Sequence, residues 1–313
     1  MNLTAVNIAD PSETEKRSSV VFAVVLNWNG AEDTIKCIDS LLEAKDPFLE
    51  VVIVDNASTD GSVQRLTEAF PAIPLIRRPS NGGYAAGNNA GIRYAIDHGA
   101  DYVLLVNNDT IVEHGFLRPM IAAAAGDESI GVVTCKAFFQ SNRNKIYCTG
   151  GSFSWLRCSG APMRSDRVDT PDGVSYVSGC ILLVKRNVFE TLGLLDERYF
   201  MYFEDLEFSR RVAKRFKLYY TPKGIVYHKS GGGDSWKNYS ELYLYYNTRN
   251  RFWAFRDENG LYRSYVVFFS LSLAVVKSIA IMAYGLRERD DSGPFIRVRA
   301  IWRGVKDGLL HNK

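Results

Sequence analysis

Three clusters rich in Asn, Asp and Gly each follow a short apolar run: Asn27-Trp-Asn-Gly30, Asp55-Asn-Ala-Ser-Thr-Asp-Gly61 and Asn107-Asn-Asp109. A fourth, Asn81-Gly-Gly83, opens a stretch of small residues. These side chains exchange hydrogen bonds in tight space and supply carboxylates for a polar ligand or a hard cation. Singly they say little, because Asp after a strand is a common helix cap and Gly-Gly a common turn. Their order says more. Farther on stand two adjacent acids, Glu204-Asp205, ahead of a basic stretch, and a histidine, His228, after an apolar run. Neighbouring carboxylates can take a proton in a reaction, or can simply suit the first turn of a helix.

The elements that must position these groups are legible around them. Val20-Val-Phe-Ala-Val-Val-Leu26, Val51-Val-Ile-Val54 and Tyr102-Val-Leu-Leu-Val106 are continuous, β-branched runs of the kind that form buried parallel strands. Helical spacing links them: Ile35, Ile38, Leu41 and Leu42 behind a cap at Asp33, then Val63, Leu66 and Phe70, and a small-residue helix over 85–96. Alternation of strand and helix predicts a Rossmann-like, doubly wound, mostly parallel α/β sheet with helices on both faces. Ligands of such sheets bind outside the carboxyl ends of the strands, so the clusters converge on one crevice. Later residues read as a helix over 206–215, apolar runs at 217–220 and 225–227, and a loop, Gly231-Gly-Gly-Asp-Ser235.

The 313 residues divide into a polar arm (1–19), a catalytic unit (20–240) and a helical, basic and apolar extension (241–313). The chain carries 46% hydrophobic and 23% charged residues with a mean hydropathy of −0.13, which excludes a disordered or polytopic membrane protein. A net charge of +3 gives no nucleic-acid footprint. Residues 241–313 nevertheless hold 12 Lys and Arg against 7 Asp and Glu. Five scattered cysteines and no secretory leader fit a cytoplasmic protein.

Together the motifs resemble glycosyltransferase family 2. They are Leu26-Asn-Trp-Asn-Gly30, Val54-Asp-Asn-Ala-Ser-Thr-Asp-Gly-Ser62, Asn81-Gly-Gly-Tyr-Ala-Ala-Gly-Asn-Asn-Ala-Gly-Ile92, Asn107-Asn-Asp-Thr110 and Phe203-Glu-Asp205. The pattern is most similar to bacterial rhamnosyltransferase-like enzymes of surface polysaccharide synthesis, and the resemblance covers about residues 20 to 250. It implies the GT-A fold, a nucleotide-sugar donor, a divalent metal (Mg²⁺ or Mn²⁺) and inversion at the anomeric carbon. By the same resemblance Asp109 is the metal-binding acid of a D-x-D motif whose first acid is replaced by Asn107, which then meets the donor ribose or a metal-bound water. His228 ligates the same metal. Asp55 accepts from the base, Asn27 and Asn29 lie along base and ribose, and Asn81, Gly83 and Asn88 let backbone approach the nucleotide. Asp205 is the general base, Glu204 orients the acceptor or supports Asp205, and Lys229 meets phosphate.

Ser178-Gly-Cys180 resembles an acceptor-side segment, with Cys180 as packing. Trp155 and Tyr202 either stack on an acceptor sugar or sit in the core, and Arg249 either reaches an acceptor phosphate or forms a salt bridge. The 23 residues 264–286 carry one charge, Lys277, which disfavours a full span and favours a helix in the membrane interface or buried on a partner. The leading expectation is L-rhamnose transfer from a dTDP donor to a glycan or lipid-diphosphate-linked acceptor at the inner membrane surface, with a homodimer left open. The alternatives are a UDP-sugar donor and a nucleotide-sugar-binding scaffold that has lost catalysis.

Overall fold

The computed structural model describes residues 19–164, 174–229, 239–288 and 293–310. Most of the expected arm, 1–18, and the glycine loop, 231–235, lie outside them.

Strand β1 (Val21–Asn27), helix α1 (Ala31–Glu43), β2 (Leu49–Asp55), α2 (Ser62–Ala69), β3 (Leu75–Arg77), α3 (Gly83–Asp97) and β4 (Tyr102–Asn107) alternate as expected. The four strands lie parallel in the order β3-β2-β1-β4. Side chains of β1 point alternately to two cores, because successive Cβ atoms in a strand face opposite ways. Val21, Ala23 and Val25 pack with Ile38 and Leu41 of α1 and Leu66 of α2. Phe22 and Val24 pack with Ile92 and Ala95 of α3. Ile38 and Ile92 are fully buried, each stabilising the fold by roughly 1.5–3 kcal/mol through the apolar surface withdrawn from water.

Beyond β4 the sheet changes character. β5 (Thr110–Val112), α4 (Leu117–Gly126), β6 (Ile130–Phe139), β7 (Asn142–Cys148), β8 (Gly151–Ser154) and β9 (Ser159–Pro162) precede β10 (Ile181–Lys185). β10 inserts between β4 and β6, antiparallel to both. Helix α5 (Arg186–Leu192) and helix α6 (Glu204–Val212) follow. α6 starts at Glu204, so the two acids occupy its first turn. The apolar runs at 217–220 and 225–227 belong to one strand, β11 (Lys217–His228), whose register slips between Thr221 and Ile225. Asp33 does not cap α1, since Gly30 holds that position and no side chain bonds there.

Three helices close the chain: α7 (Glu241–Ala254), α8 (Gly260–Glu288) and α9 (Pro294–Leu310). α9 lies close against α7 because Gly304 has no side chain; a Cβ there would stand 2.6 Å from the Tyr245 carbonyl oxygen. α8 is long and apolar enough to cross a membrane. It leaves Leu261, Phe268, Val275, Val276 and Ile279 exposed, and α9 exposes Phe295, Ile296 and Trp302.

Candidate functional site

The carboxyl ends of β1, β2 and β4 meet, as the parallel topology requires. Between them lies a crevice of about 230 Å³ lined by Trp28, Asn56, Asn81, Gly83, Tyr84, Asn107, Asn108 and Asp109, among others. Its frame is a mesh of amides. Asn56, 2% exposed, donates to Asn81 Oδ1 (2.8 Å) and the Gly83 carbonyl (3.0 Å), and accepts from Arg78 (2.9 Å). Asn81 Oδ1 in turn accepts from the Gly83 N–H at 2.8 Å. Gly83 has φ +81°, and a Cβ there would lie 1.9 Å from the Phe200 carbonyl oxygen. Only glycine fits that approach.

Asn27 and Asp55 lie beneath this lining. Asn27 is fully buried and donates to Asp55 Oδ1 at 2.8 Å and Ser58 Oγ at 3.0 Å, while Thr34 Oγ1 donates to its Oδ1. Asp55 also accepts from the Ser58 N–H. Asn29 is exposed, with φ 50°, and accepts from the Thr59 N–H. Asn88 departs from expectation. It is 1% exposed inside α3 with its amide on the Tyr84 carbonyl, a helical residue that does not line the crevice. Lys229 is exposed and its ammonium is held by the Asp33 carboxylate at 2.8 Å.

At the end of the crevice His228 Nε2 stands 3.2 Å from Asp109 Oδ1 and 3.3 Å from Asn107 Nδ2. His228 is 6% exposed, and Tyr147 packs on its ring at 4.5 Å. Asp109 Oδ1 and His228 Nδ1 are buried and lack a hydrogen-bond partner. If Asn107 donates to Nε2, the ring nitrogen and the carboxylate oxygen are two acceptors facing each other. They repel unless a proton or a cation lies between them. A carboxylate and an imidazole suit Mn²⁺, and a carboxylate suits Mg²⁺. Among the described residues no set of three or more His, Cys, Asp or Glu could hold a metal, so the remaining ligands would be water or substrate oxygens.

A second cavity, of about 250 Å³, lies across the segment 200–206 and is lined by Gly160, Tyr176, Tyr202, Glu204, Asp205, Tyr243 and Asn247, among others. Tyr202 and Phe203 both have positive φ, 66° and 73°, a strained pair for bulky residues just ahead of the two acids. Asn250 of α7, fully buried, donates to the carbonyls of Met201 (2.8 Å) and Tyr202 (2.7 Å) and holds that strain in place.

The two carboxyl groups live in different surroundings. Asp205 accepts from the Tyr176 hydroxyl (2.6 Å), the Gly179 N–H (3.2 Å) and the Leu206 N–H (2.8 Å). Burial raises its pKa, and those donors counter the rise. Glu204 is 7% exposed, and its Oε2 is buried without a partner. Burial and the Asp205 charge hold its pKa well above the usual carboxylate range. With three donors on its carboxylate Asp205 carries the charge more readily of the two, and Glu204 holds a proton more readily. Tyr84 joins the cavities: it lines the first crevice and donates to the Gly179 carbonyl at 2.7 Å.

Cys180 is 3% exposed, and burial pushes its thiol far up, which fits packing. Trp155 is 53% exposed and packs edge-on against Phe153 and Tyr262 outside the cavity. Arg249 forms no salt bridge among the described residues. It donates to the Arg198 carbonyl and stacks over Trp253 at 4.0 Å. Trp28 lies in the loop 27–30 expected along base and ribose, whereas Asn56, Tyr84, Tyr176 and Asn250 were not singled out by the sequence.

Residues 22–193, more than half the chain, match the model of Glycosyl transferase family 2. The chain is 26% identical over 238 residues to N-acetylglucosaminyl-diphospho-decaprenol L-rhamnosyltransferase of Mycobacterium tuberculosis, covering 68% of this chain and 77% of that protein. It is 26% identical over 263 residues to dTDP-rhamnosyl transferase RfbF of Shigella flexneri, covering 77% and 82%. The mannosyltransferase PcManGT from Pyrobaculum calidifontis, solved with GDP-Man and Mn²⁺, superposes with a TM-score of 0.57 at 19% identity, over 93% of this chain and 85% of that one. The chain belongs to glycosyl transferase family 2 and is a transferase of the GT-A fold.

Proposed function

We propose that this family 2 glycosyltransferase moves L-rhamnose from dTDP-L-rhamnose, with inversion, onto a lipid-diphosphate-linked glycan at the cytoplasmic membrane surface. The observation that carries the reading is the arrangement across residues 200–206: a donor crevice ending at Asp109 and His228 on one side, and a cavity holding Asp205 on the other. Residues 20–240 form the catalytic unit, with Asp55 and Asn27 under the base, Asn81 and Gly83 along the nucleotide, and Trp28 at the rim.

The acceptor hydroxyl enters the second cavity and gives its proton to Asp205. Its oxygen bonds to the anomeric carbon from the face opposite the leaving diphosphate, and the bond to the diphosphate oxygen breaks. Tyr176, Gly179 and Leu206 keep Asp205 aimed, and a protonated Glu204 donates a hydrogen bond to the acceptor. Asp109 and His228 would hold a divalent cation, which offsets negative charge on the leaving diphosphate when bound. The two rhamnosyltransferase relatives support the donor. The apolar face of α8 and the exposed Arg299, Arg303 and Lys306 of α9 support a helical extension, 241–313, lying on an anionic leaflet.

Incubation with dTDP-L-rhamnose or a UDP-sugar and a lipid-diphosphate-linked N-acetylglucosamine tests the reading. Rhamnose transfer with an inverted anomer supports it; transfer from the UDP-sugar alone overturns the donor, and a retained anomer overturns the mechanism.

A further inference from the structure

Behind the acceptor cavity α7 and α8 enclose a small gap of about 10 Å³, lined by Asn247, Thr248, Arg251, Ser270 and Lys277, among others. Asn247 lines both spaces. Two cations meet there, and among the described residues neither pairs with a carboxylate. Arg251 is 7% exposed; among the described residues its guanidinium donates to neutral acceptors, the carbonyls of Arg157 (2.7 Å) and Cys158 (2.8 Å) and Asn247 Oδ1 (3.3 Å), and lies near the rings of Phe203 and Phe269. The Lys277 ammonium lies over the rings of Tyr239 and Tyr243, at 5.8 and 5.9 Å, with no hydrogen bond among the described residues. Ser270 Oγ, in a residue 3% exposed, has no partner either.

Buried charges are normally paired, because withdrawing them from water costs more than packing returns. Two like charges side by side compound that cost. Burial and the Arg251 charge depress the Lys277 pKa to about 8. A fold that keeps this arrangement gains most when an anion arrives.

We propose that Lys277, Arg251 and Ser270 form an anion subsite for the phosphate of a lipid-linked diphosphate acceptor, which sets the acceptor's sugar in the neighbouring cavity against Asp205. The inference rests on the glycosyl-transfer reading above and adds to it the residues that hold the acceptor. The gap has room for about one water. Tyr243, over whose ring the Lys277 ammonium lies, lines the neighbouring cavity, so the anion meets Lys277 past that ring and a bridging water relays it to Arg251 and Ser270.

The test is calorimetric titration of the whole chain, in neutral detergent with EDTA, by farnesyl diphosphate, inorganic pyrophosphate and farnesol. EDTA silences metal-dependent binding at Asp109 and His228, and a parallel dTDP titration with Mn²⁺ reports separately on the donor site. Farnesyl diphosphate should bind at least about tenfold more tightly than the other two, and Lys277→Met should weaken it by about tenfold or more. Ser270→Ala, a milder change, should weaken it about threefold. Removing an uncompensated cation should leave the variant's melting temperature equal or higher, so misfolding does not account for the loss. Lys277→Met binding within twofold of the parent would overturn the subsite. Pyrophosphate binding as tightly would assign it to a free phosphate compound, and farnesol binding as tightly would reduce it to apolar contact; either result overturns the acceptor assignment. Failed dTDP binding beside intact farnesyl diphosphate binding would strike the donor reading and leave the subsite standing.

Discussion

The crevice at Asp109 and the cavity at Asp205, proposed as the donor and acceptor sites, share the segment 200–206 as a wall, yet they are built by opposite rules. On the donor side Asn27, Asp55, Asn56 and Asn81 satisfy one another, and little is left unmet until Asp109 and His228. On the other side, among the described residues, Glu204 and Ser270 keep unpartnered oxygens, Tyr202 and Phe203 hold strained backbone, and Arg251 has no counter-charge. A satisfied mesh gives a rigid cradle that costs nothing to assemble when a nucleotide arrives. Unmet groups store a demand that a substrate answers. The contrast assigns shape to one side and chemistry to the other, and it can be broken experimentally.

The largest effect belongs to Asp205→Asn. Losing the proton acceptor should cut turnover by about 10²–10⁴-fold while dTDP binding stays within about twofold. Steady-state rates beside calorimetry measure both, and equal losses in both would dissolve the division between the sides. Next, Asp109→Ala should weaken Mn²⁺-dependent dTDP binding by roughly 100-fold, as loss of a charged ligand does, and leave binding in EDTA unchanged.

Much of the donor side was legible in the sequence, for a physical reason. A buried parallel strand is a continuous apolar run, its end is marked by the first polar residue, and topology places such ends together. Asn107 and Asp109, at and just past the end of β4, line the crevice for that reason. The acceptor side was not legible because its contacts are distant in sequence: Tyr176 reaches Asp205 across 29 residues, and Asn250 reaches Tyr202 across 48. No local pattern marks a helix asparagine that clamps a strained turn. Asn88 failed for the converse reason, since its motif neighbours line the crevice while helical periodicity turns it inward. Nor does any pattern in 181–185 reveal that β10 inserts antiparallel beside β4.

That clamp supplies the third prediction. Asn250→Ala leaves two buried carbonyls unmet, which should cost about 1–3 kcal/mol of stability by denaturant titration. Activity should fall with no change in dTDP affinity. The smallest effect is Glu204→Gln. Burial raises the pKa of both acids, so the stability they lend is present below the ordinary Glu value of 4.5 and is lost as pH rises through the folded values. The glutamine variant should therefore lose less stability than the parent as pH rises above the ordinary Glu value. Its acid limb of kcat/KM should stay in place, because a protonated Glu204 and a glutamine are both neutral neighbours of Asp205.

The central claim is that Asp109 and His228 make nucleotide binding depend on a divalent cation at a pyrimidine diphosphate site. Calorimetric titration with dTDP, UDP, GDP and CMP, each with Mn²⁺ or Mg²⁺ and again with EDTA, tests it directly. The structure leads us to expect dTDP to bind with the cation and to lose that binding in EDTA. A folded protein that bound none of the four, or bound dTDP equally well in EDTA, would contradict it.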